Sequence, residues 1–112
     1  MTYTPWGNAD GAEHIARGIM FYSTPSHGGY HLSPARNLQV PDALRLPGGW
    51  YEEDCDWARV VLAFPQYFPD AVKQAEARQC LRAWVPSAYE RFYGVTLQPG
   101  ESYAKDHPLT PA

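Results

Sequence analysis

The residues best suited to chemistry in this sequence are one histidine and a short acidic run. The histidine is His27, and the acidic run (residues 52–56) contributes Glu52, Glu53, Asp54 and Asp56. An imidazole paired with a carboxylate can act as a general base and acid. A small hydrolase would therefore combine His27 with Glu53 or Asp54. Such a site needs burial to shift a pKa, which a sequence does not display, so no catalytic residue is assigned.

The acidic run has two further interpretations that need no catalysis. If a helix begins near residue 54, carboxylates in its first turn each stabilise it by about 0.3–1 kcal/mol. Alternatively, the run docks on basic residues of a partner protein. Segment 51–70 holds five acidic residues and one arginine, whereas the rest of the chain is nearly balanced in charge.

The docking interpretation gains support from the aromatic pair that precedes the run. Gly48 and Gly49 free the backbone, so the Trp50–Tyr51 pair that follows can form an exposed anchor. The alternative is that Trp50 closes the core as a lid. The predicted partner-binding residues are Trp50, Tyr51, Glu52, Glu53, Asp54 and Asp56.

A metal site built from two histidines is not expected. If Gly28–Gly29 is a two-residue hairpin turn, His27 pairs with Tyr30 and Ser26 with His31. Cross-strand partners share a face, so His27 and His31 lie on opposite faces and cannot bind one ion. The same geometry separates Ser26 from His27 as nucleophile and base. No metal or cofactor is predicted, and the alternative that remains is a metal held by carboxylates of the acidic run together with His27.

The two cysteines, Cys55 and Cys80, are expected to be small buried hydrophobic residues rather than a disulfide or a zinc site. Their separation matches no standard zinc-ligand spacing. A start without a basic segment or an apolar stretch predicts a cytoplasmic, reducing location.

The element pattern predicts strands first and helices after them. The first 15 residues are turn-rich, and 104–112 are expected to be an irregular tail. Between them the sequence predicts a strand over 18–24 and its return to residue 32, short helices opening at Pro34 and Pro41, a buried helix or strand over 54–64, helices over 70–84 and 88–93, and a short strand over 95–97.

The fold class that follows is α+β. We expect an N-terminal β-hairpin or small antiparallel sheet packed on a C-terminal helical half. Trp57, Val61 and Phe64 fall on one helical face and are predicted to belong to the core. A chain of 112 residues fits a single domain over 1–112.

Charge and hydropathy exclude two classes of partner. The formal net charge is −3, and no basic stripe is present that would bind nucleic acid directly. No apolar run approaches the roughly 18 residues that a membrane span needs.

Several motifs resemble an uncharacterised small domain family of proteobacteria. They are TPSHGG (Thr24–Gly29) and GGWYEEDC (Gly48–Cys55), with Thr4–Gly7 at the start and Pro99–Tyr103 near the end. The resemblance implies a setting on phages and conjugative elements. Small acidic proteins in that setting often act against host defence.

The function expected from residues and resemblance together is protein binding. The chain would inhibit a bacterial defence complex, as anti-CRISPR proteins do, by contact with a basic protein or nucleoprotein surface. The alternatives are the hydrolase built on His27 and an adaptor domain that other chains append.

Overall fold

The fold is α+β, with strands in the first half of the chain and helices in the second. The structure is a computed structural model that describes residues 2–108. The strands are β1 (Tyr3–Thr4), β2 (Gly7–Asn8), β3 (Gly11–Ala16), β4 (Ile19–Ser23), β5 (Gly28–Leu32) and β6 (Trp50–Glu52). The helices are α1 (Pro34–Gln39), α2 (Trp57–Ala63), α3 (Ala71–Trp84), α4 (Pro86–Tyr93) and α5 (Tyr103–Asp106).

The main sheet is antiparallel, and its strands follow one another in chain order, β3-β4-β5-β6. The strands β1 and β2 form a separate small hairpin. Side chains alternate across the sheet, so each strand has one row facing the helices and one row facing away. We call the first side the core face and the other the outer face.

The core face and the helices enclose one hydrophobic cluster. From the sheet it takes Ile19, Tyr30, Leu32 and Tyr51, which are all buried. From the helical half it takes, among others, Val60, Val61, Phe64, Ala77 and Leu81. The predicted packing of a small antiparallel sheet on a helical half is therefore confirmed.

The predicted hairpin turn at Gly28–Gly29 is wrong. Ser23 pairs with Gly28 and Phe21 with Tyr30, so both glycines belong to β5 and residues 24–27 form the loop. Hydrogen bonds at Thr24 close this loop. The Thr24 N–H and hydroxyl both donate to the His27 carbonyl, at 2.7 and 3.0 Å, and the His27 N–H donates to the hydroxyl at 3.0 Å.

The segment 54–64, left open between helix and strand, contains helix α2, which begins only at Trp57. Capping by the acidic run is wrong because the chain turns before the helix starts. Glu52 ends β6, and Glu53 and Asp54 lie in the turn. Asp56 occupies the N-cap position, but its side chain accepts no capping hydrogen bond, and the first turn of α2 holds no acidic residue. Trp57 is half-buried and packs against the core cluster.

The predicted helices over 70–84 and 88–93 are present as α3 and α4. Asp70 caps α3 through a 2.8 Å bond from the Val72 N–H to its carboxylate. Gly94 ends α4 with a φ of 66°, a conformation that glycine adopts without strain.

The first 15 residues, expected to be turn-rich, contain β1, β2 and most of β3, with a turn between β1 and β2. Two expectations on the shorter segments are wrong. The helix expected at Pro41 is a single turn, in which the Leu44 and Arg45 N–H groups donate to the Pro41 carbonyl. Segment 95–97 forms no strand within the described 2–108, because the Leu97 N–H donates to the Glu90 carboxylate at 2.7 Å.

The predicted irregular tail begins inside a helix. Tyr103–Asp106 form α5, whose first turn is capped by a 3.3 Å bond from the Lys105 N–H to the buried Ser102 hydroxyl. Residues 109–112 of that tail lie outside the described part of the chain. Among residues 2–108, no helix is long and apolar enough to cross a bilayer.

Candidate functional site

The outer face of the sheet carries a cluster of aromatic rings, which we call the aromatic face: Trp6, Tyr22, His31 and Trp50. The register places His31 between Met20 and Trp50 on neighbouring strands. Trp50 is the centre of the cluster. Its ring lies 4.2 Å from that of His31, 5.9 Å from Tyr22 and 5.7 Å from Trp6, centroid to centroid. All four residues are half-buried, so part of each ring contacts solvent.

Trp6 reaches this face because Gly29 leaves room for it. A Cβ atom on Gly29 would lie 2.5 Å from Cη2 of Trp6 and would clash with the carbonyl oxygen of Tyr51. The turn before β2 holds the tryptophan in place. The Thr4 hydroxyl accepts from the Trp6 N–H at 3.1 Å and donates to the Gly7 carbonyl at 2.7 Å. Sequence reasoning missed Trp6, although Gly29 was the signal of a close approach.

His31 contributes to the aromatic face as an uncharged ring. Burial lowers the pKa of His31 from its ordinary 6.5, so the imidazole is neutral at pH 7. A neutral ring stacks against Trp50 without burying a charge.

A second cluster, which we call the acidic corner, adjoins the aromatic face: His27, Glu52 and Asp54. Nδ1 of His27 lies 3.8 Å from Oε1 of Glu52. One polar atom from each of the three residues lies within 4.8 Å of the other two. Thus the structure brings His27 to the acidic run.

The acidic corner concentrates negative charge at a partly desolvated position. Burial raises the pKa of the Glu52 carboxyl, and the charges of Asp54 and Asp56 raise it further. The Asp54 N–H donates to Oε2 of Glu52 at 3.1 Å, which lowers the same pKa and fixes the carboxylate.

The other two predicted acids lie apart from this corner. Glu53 follows the end of β6 and lies on the core side of the sheet, where it lines a shallow groove with Trp57 and Lys73. The Asp56 carboxylate lies 3.6 Å from the Arg59 guanidinium. Of the two carboxylates proposed for a hydrolase, only Asp54 is near His27.

Tyr51 does not fit the predicted contact role, because its side chain is wholly buried. Its hydroxyl donates to Oδ1 of Asn37 at 2.6 Å and accepts from the Leu46 N–H at 3.0 Å. Burial raises the pKa of Tyr51, which therefore stays protonated and able to donate. Trp50, one residue earlier, points to the outer face and does not close the core.

Comparison with protein families places the whole described chain in one family. Residues 1–110 match the family described as Domain of unknown function (DUF7007). The chain belongs to that family. The predicted resemblance to an uncharacterised domain family is confirmed in this form. No curated protein and no solved structure gives a significant match.

An apolar groove continues the aromatic face of this DUF7007 domain past His31. It encloses about 360 Å³. Its wall includes Leu38, whose side chain is 73% exposed. The lining residues are His31, Leu32, Pro34, Asn37, Leu38, Gly48 and Gly49.

The two cysteines lie beside one another between the 53–56 turn and α3. Their Sγ atoms are 3.6 Å apart, and both residues are half-buried rather than fully buried as expected. Burial and the hydrogen bond with Cys80 raise the pKa of Cys55 to about 12. The thiol of Cys55 is therefore a poor nucleophile at neutral pH.

Proposed function

We propose that this domain binds another protein through the aromatic face and the acidic corner. The observation that carries the proposal is the cluster of rings around Trp50 on the side of the sheet away from the core. Large aromatic side chains at the centre of an interface supply much of its binding energy. The adjoining groove beside His31 extends the same apolar surface.

The rings are already held in position before any partner binds. The Thr4 turn fixes the backbone of Trp6, and the ring of Trp50 packs against the rings of Trp6, Tyr22 and His31. Ordering a mobile side chain at an interface costs about 0.5–1.5 kcal/mol. Rings that are already in position avoid most of this cost, which favours a role of the aromatic face in binding a partner.

The acidic corner supports a partner with a basic surface. Glu52 lies two residues after Trp50 on β6, so the two side chains share the outer face. Asp54 lies beside Glu52, and the domain carries a net charge of −3. A partner surface with lysines or arginines around an apolar patch complements this arrangement.

The finer proposal is that the partner belongs to a bacterial defence complex and that binding inhibits it, as in anti-CRISPR proteins. It rests on the mobile-element setting implied by the TPSHGG and GGWYEEDC motifs, which include His27 and the acidic run. The domain would act in the bacterial cytoplasm, on a basic protein or nucleoprotein, without binding nucleic acid itself.

The hydrolase alternative now has one pair, His27 with Asp54. Both residues are exposed, and exposure leaves them solvated. Catalysis by this pair therefore has weaker support than protein binding. An adaptor domain would also bind another protein, so the identity of the partner has to distinguish an adaptor from an inhibitor.

The test compares two variants of the proposed surface with two matched controls. A partner is enriched from a host lysate on the wild-type domain, purified, and titrated with each variant. Trp50→Ala is matched by Trp84→Ala, which changes a tryptophan on α3 that is 57% exposed. Glu52→Lys is matched by Glu76→Lys, also on α3.

We expect Trp50→Ala to weaken binding about 30-fold or more, the loss typical of an interface hot spot. Glu52→Lys should slow association at low salt and have less effect at high salt. Both controls should bind like the wild type. If Trp50→Ala keeps a native thermal melt and full affinity, the aromatic face is not the interface.

A further inference from the structure

We propose that His27, Glu52 and Asp54 form a binding site for a divalent transition-metal cation such as Zn²⁺. The three residues offer one imidazole nitrogen and two carboxylate oxygens, all within 4.8 Å of one another. The expectation of no metal rested mainly on the argument that His27 and His31 cannot bind one ion together, and it left carboxylates working with His27 as an alternative. The structure places the carboxylates of Glu52 and Asp54 beside His27, so a metal site here does not need His31.

The separations are close to those of a bound ion. Zinc lies about 2.0–2.2 Å from nitrogen and oxygen ligands, which places tetrahedral ligand atoms about 3.3 Å apart. The His27–Glu52 separation is 3.8 Å. The other separations are at most 4.8 Å, so in this proposal side-chain rotations shorten them until the three atoms share one ion.

The backbone around His27 and Glu52 is fixed by hydrogen bonds within the loop and the sheet. Three hydrogen bonds to Thr24 hold His27 in its loop. Pairing with Gly29 holds Glu52 at the end of β6. The N–H of Asp54 donates to the Glu52 carboxylate and orients it. A preorganised ligand set loses little conformational entropy when an ion binds.

The ligand types select the class of cation. An imidazole ligand favours Zn²⁺ and its neighbours in the first transition row over Mg²⁺ or Ca²⁺, which prefer oxygen alone. A dication also relieves the repulsion between the Glu52 and Asp54 carboxylates. His27 is exposed, so the remaining coordination position faces solvent and is open to water or to a partner's side chain.

The test uses the full chain, freed of metal by dialysis against a chelator and titrated with zinc chloride in a calorimeter. We expect one ion per chain and a melting temperature that rises with zinc concentration. His27→Ala, Glu52→Gln and Asp54→Asn should each weaken zinc binding at least about tenfold. Glu53→Gln and His107→Ala are the matched controls and should bind zinc like the wild type.

The two amide variants keep the size of the side chain, so loss of the fold is not expected to obscure the result. Co²⁺, added in place of zinc, should give a visible absorption band that Glu52→Gln abolishes and Glu53→Gln preserves. The proposal is overturned if zinc binding does not saturate, or if Glu52→Gln and Glu53→Gln bind zinc with equal affinity. No partner protein is needed, so the outcome is independent of the protein-binding proposal.

Discussion

Replacing Tyr51 with phenylalanine tests whether this tyrosine is a structural residue rather than a contact residue. The ring stays in the core, and only the hydroxyl is removed. That hydroxyl links β6 to two preceding segments, through Oδ1 of Asn37 in α1 and the N–H of Leu46. Asn37 also donates to the Leu46 carbonyl at 2.9 Å, so the three residues form one network.

The expected magnitude follows from the two hydrogen bonds. Each contributes about 1 kcal/mol net, and a buried group left without a partner costs about 1–3 kcal/mol. Tyr51→Phe should therefore lower the free energy of unfolding by about 2–3 kcal/mol. For a domain of this length, 2 kcal/mol corresponds to a fall in melting temperature of about 8 °C.

The assay is urea unfolding followed by tryptophan fluorescence, with Tyr3→Phe as the control. The Tyr3 side chain is 78% exposed, so its hydroxyl should contribute almost nothing. In the double variant with Asn37→Ala, the two losses should fall short of additive by about 1 kcal/mol. A Tyr51→Phe midpoint equal to that of Tyr3→Phe would refute the reasoning.

Three further predictions concern packing, pH and thiol reactivity. Trp57→Ala should cost less than the about 3–5 kcal/mol typical of a fully buried aromatic, because its ring is half-buried; chemical denaturation measures this. The Glu90 carboxylate accepts hydrogen bonds from the Lys105 side chain and from the N–H of Leu97, and these hold the pKa of Glu90 below its ordinary 4.5. Its contribution to stability is therefore present above pH 4.5 and lost as the pH falls, so the stability difference between wild type and Glu90→Gln should shrink in acid. The pKa of Cys55 is about 12, so its rate of alkylation should rise about tenfold per pH unit between pH 7 and 9. Mass spectrometry of the labelled peptide measures this rate, and a rate that levels off in this range would contradict the prediction.

The parts of the fold that the sequence predicts are those with strong local signals. A capping aspartate and a regular apolar stripe define α3, and a proline and a glycine bound α4. The strand β3 lacks such a signal because it is an edge strand, and three of its six residues are exposed. Apolar alternation is therefore weak there, and pairing with β4 decides the structure.

The candidate site is predictable in composition but not in geometry. The sequence singles out His27 and the acidic run, yet it does not show which acids face the histidine. That depends on the register of β6 against β5, since a shift of one residue would exchange Glu52 for Glu53. Gly28–Gly29 favoured a turn by local rules, but pairing with β4 and β6 places both glycines inside the sheet, where Gly29 leaves room for Trp6.

The separation of the two sheet faces has an evolutionary consequence. Positions that maintain the fold alternate with positions on the outer face along the same strands. Substitutions on the outer face leave the hydrophobic core intact and should therefore cost less stability than substitutions in the core. Selection on partner choice can therefore act on Tyr22, His31 and Trp50 while selection on stability acts on their neighbours. Gly29 is the exception, because a side chain there would collide with both Trp6 and the β6 backbone. A lineage that changes its partner would be expected to vary the rings and retain this glycine.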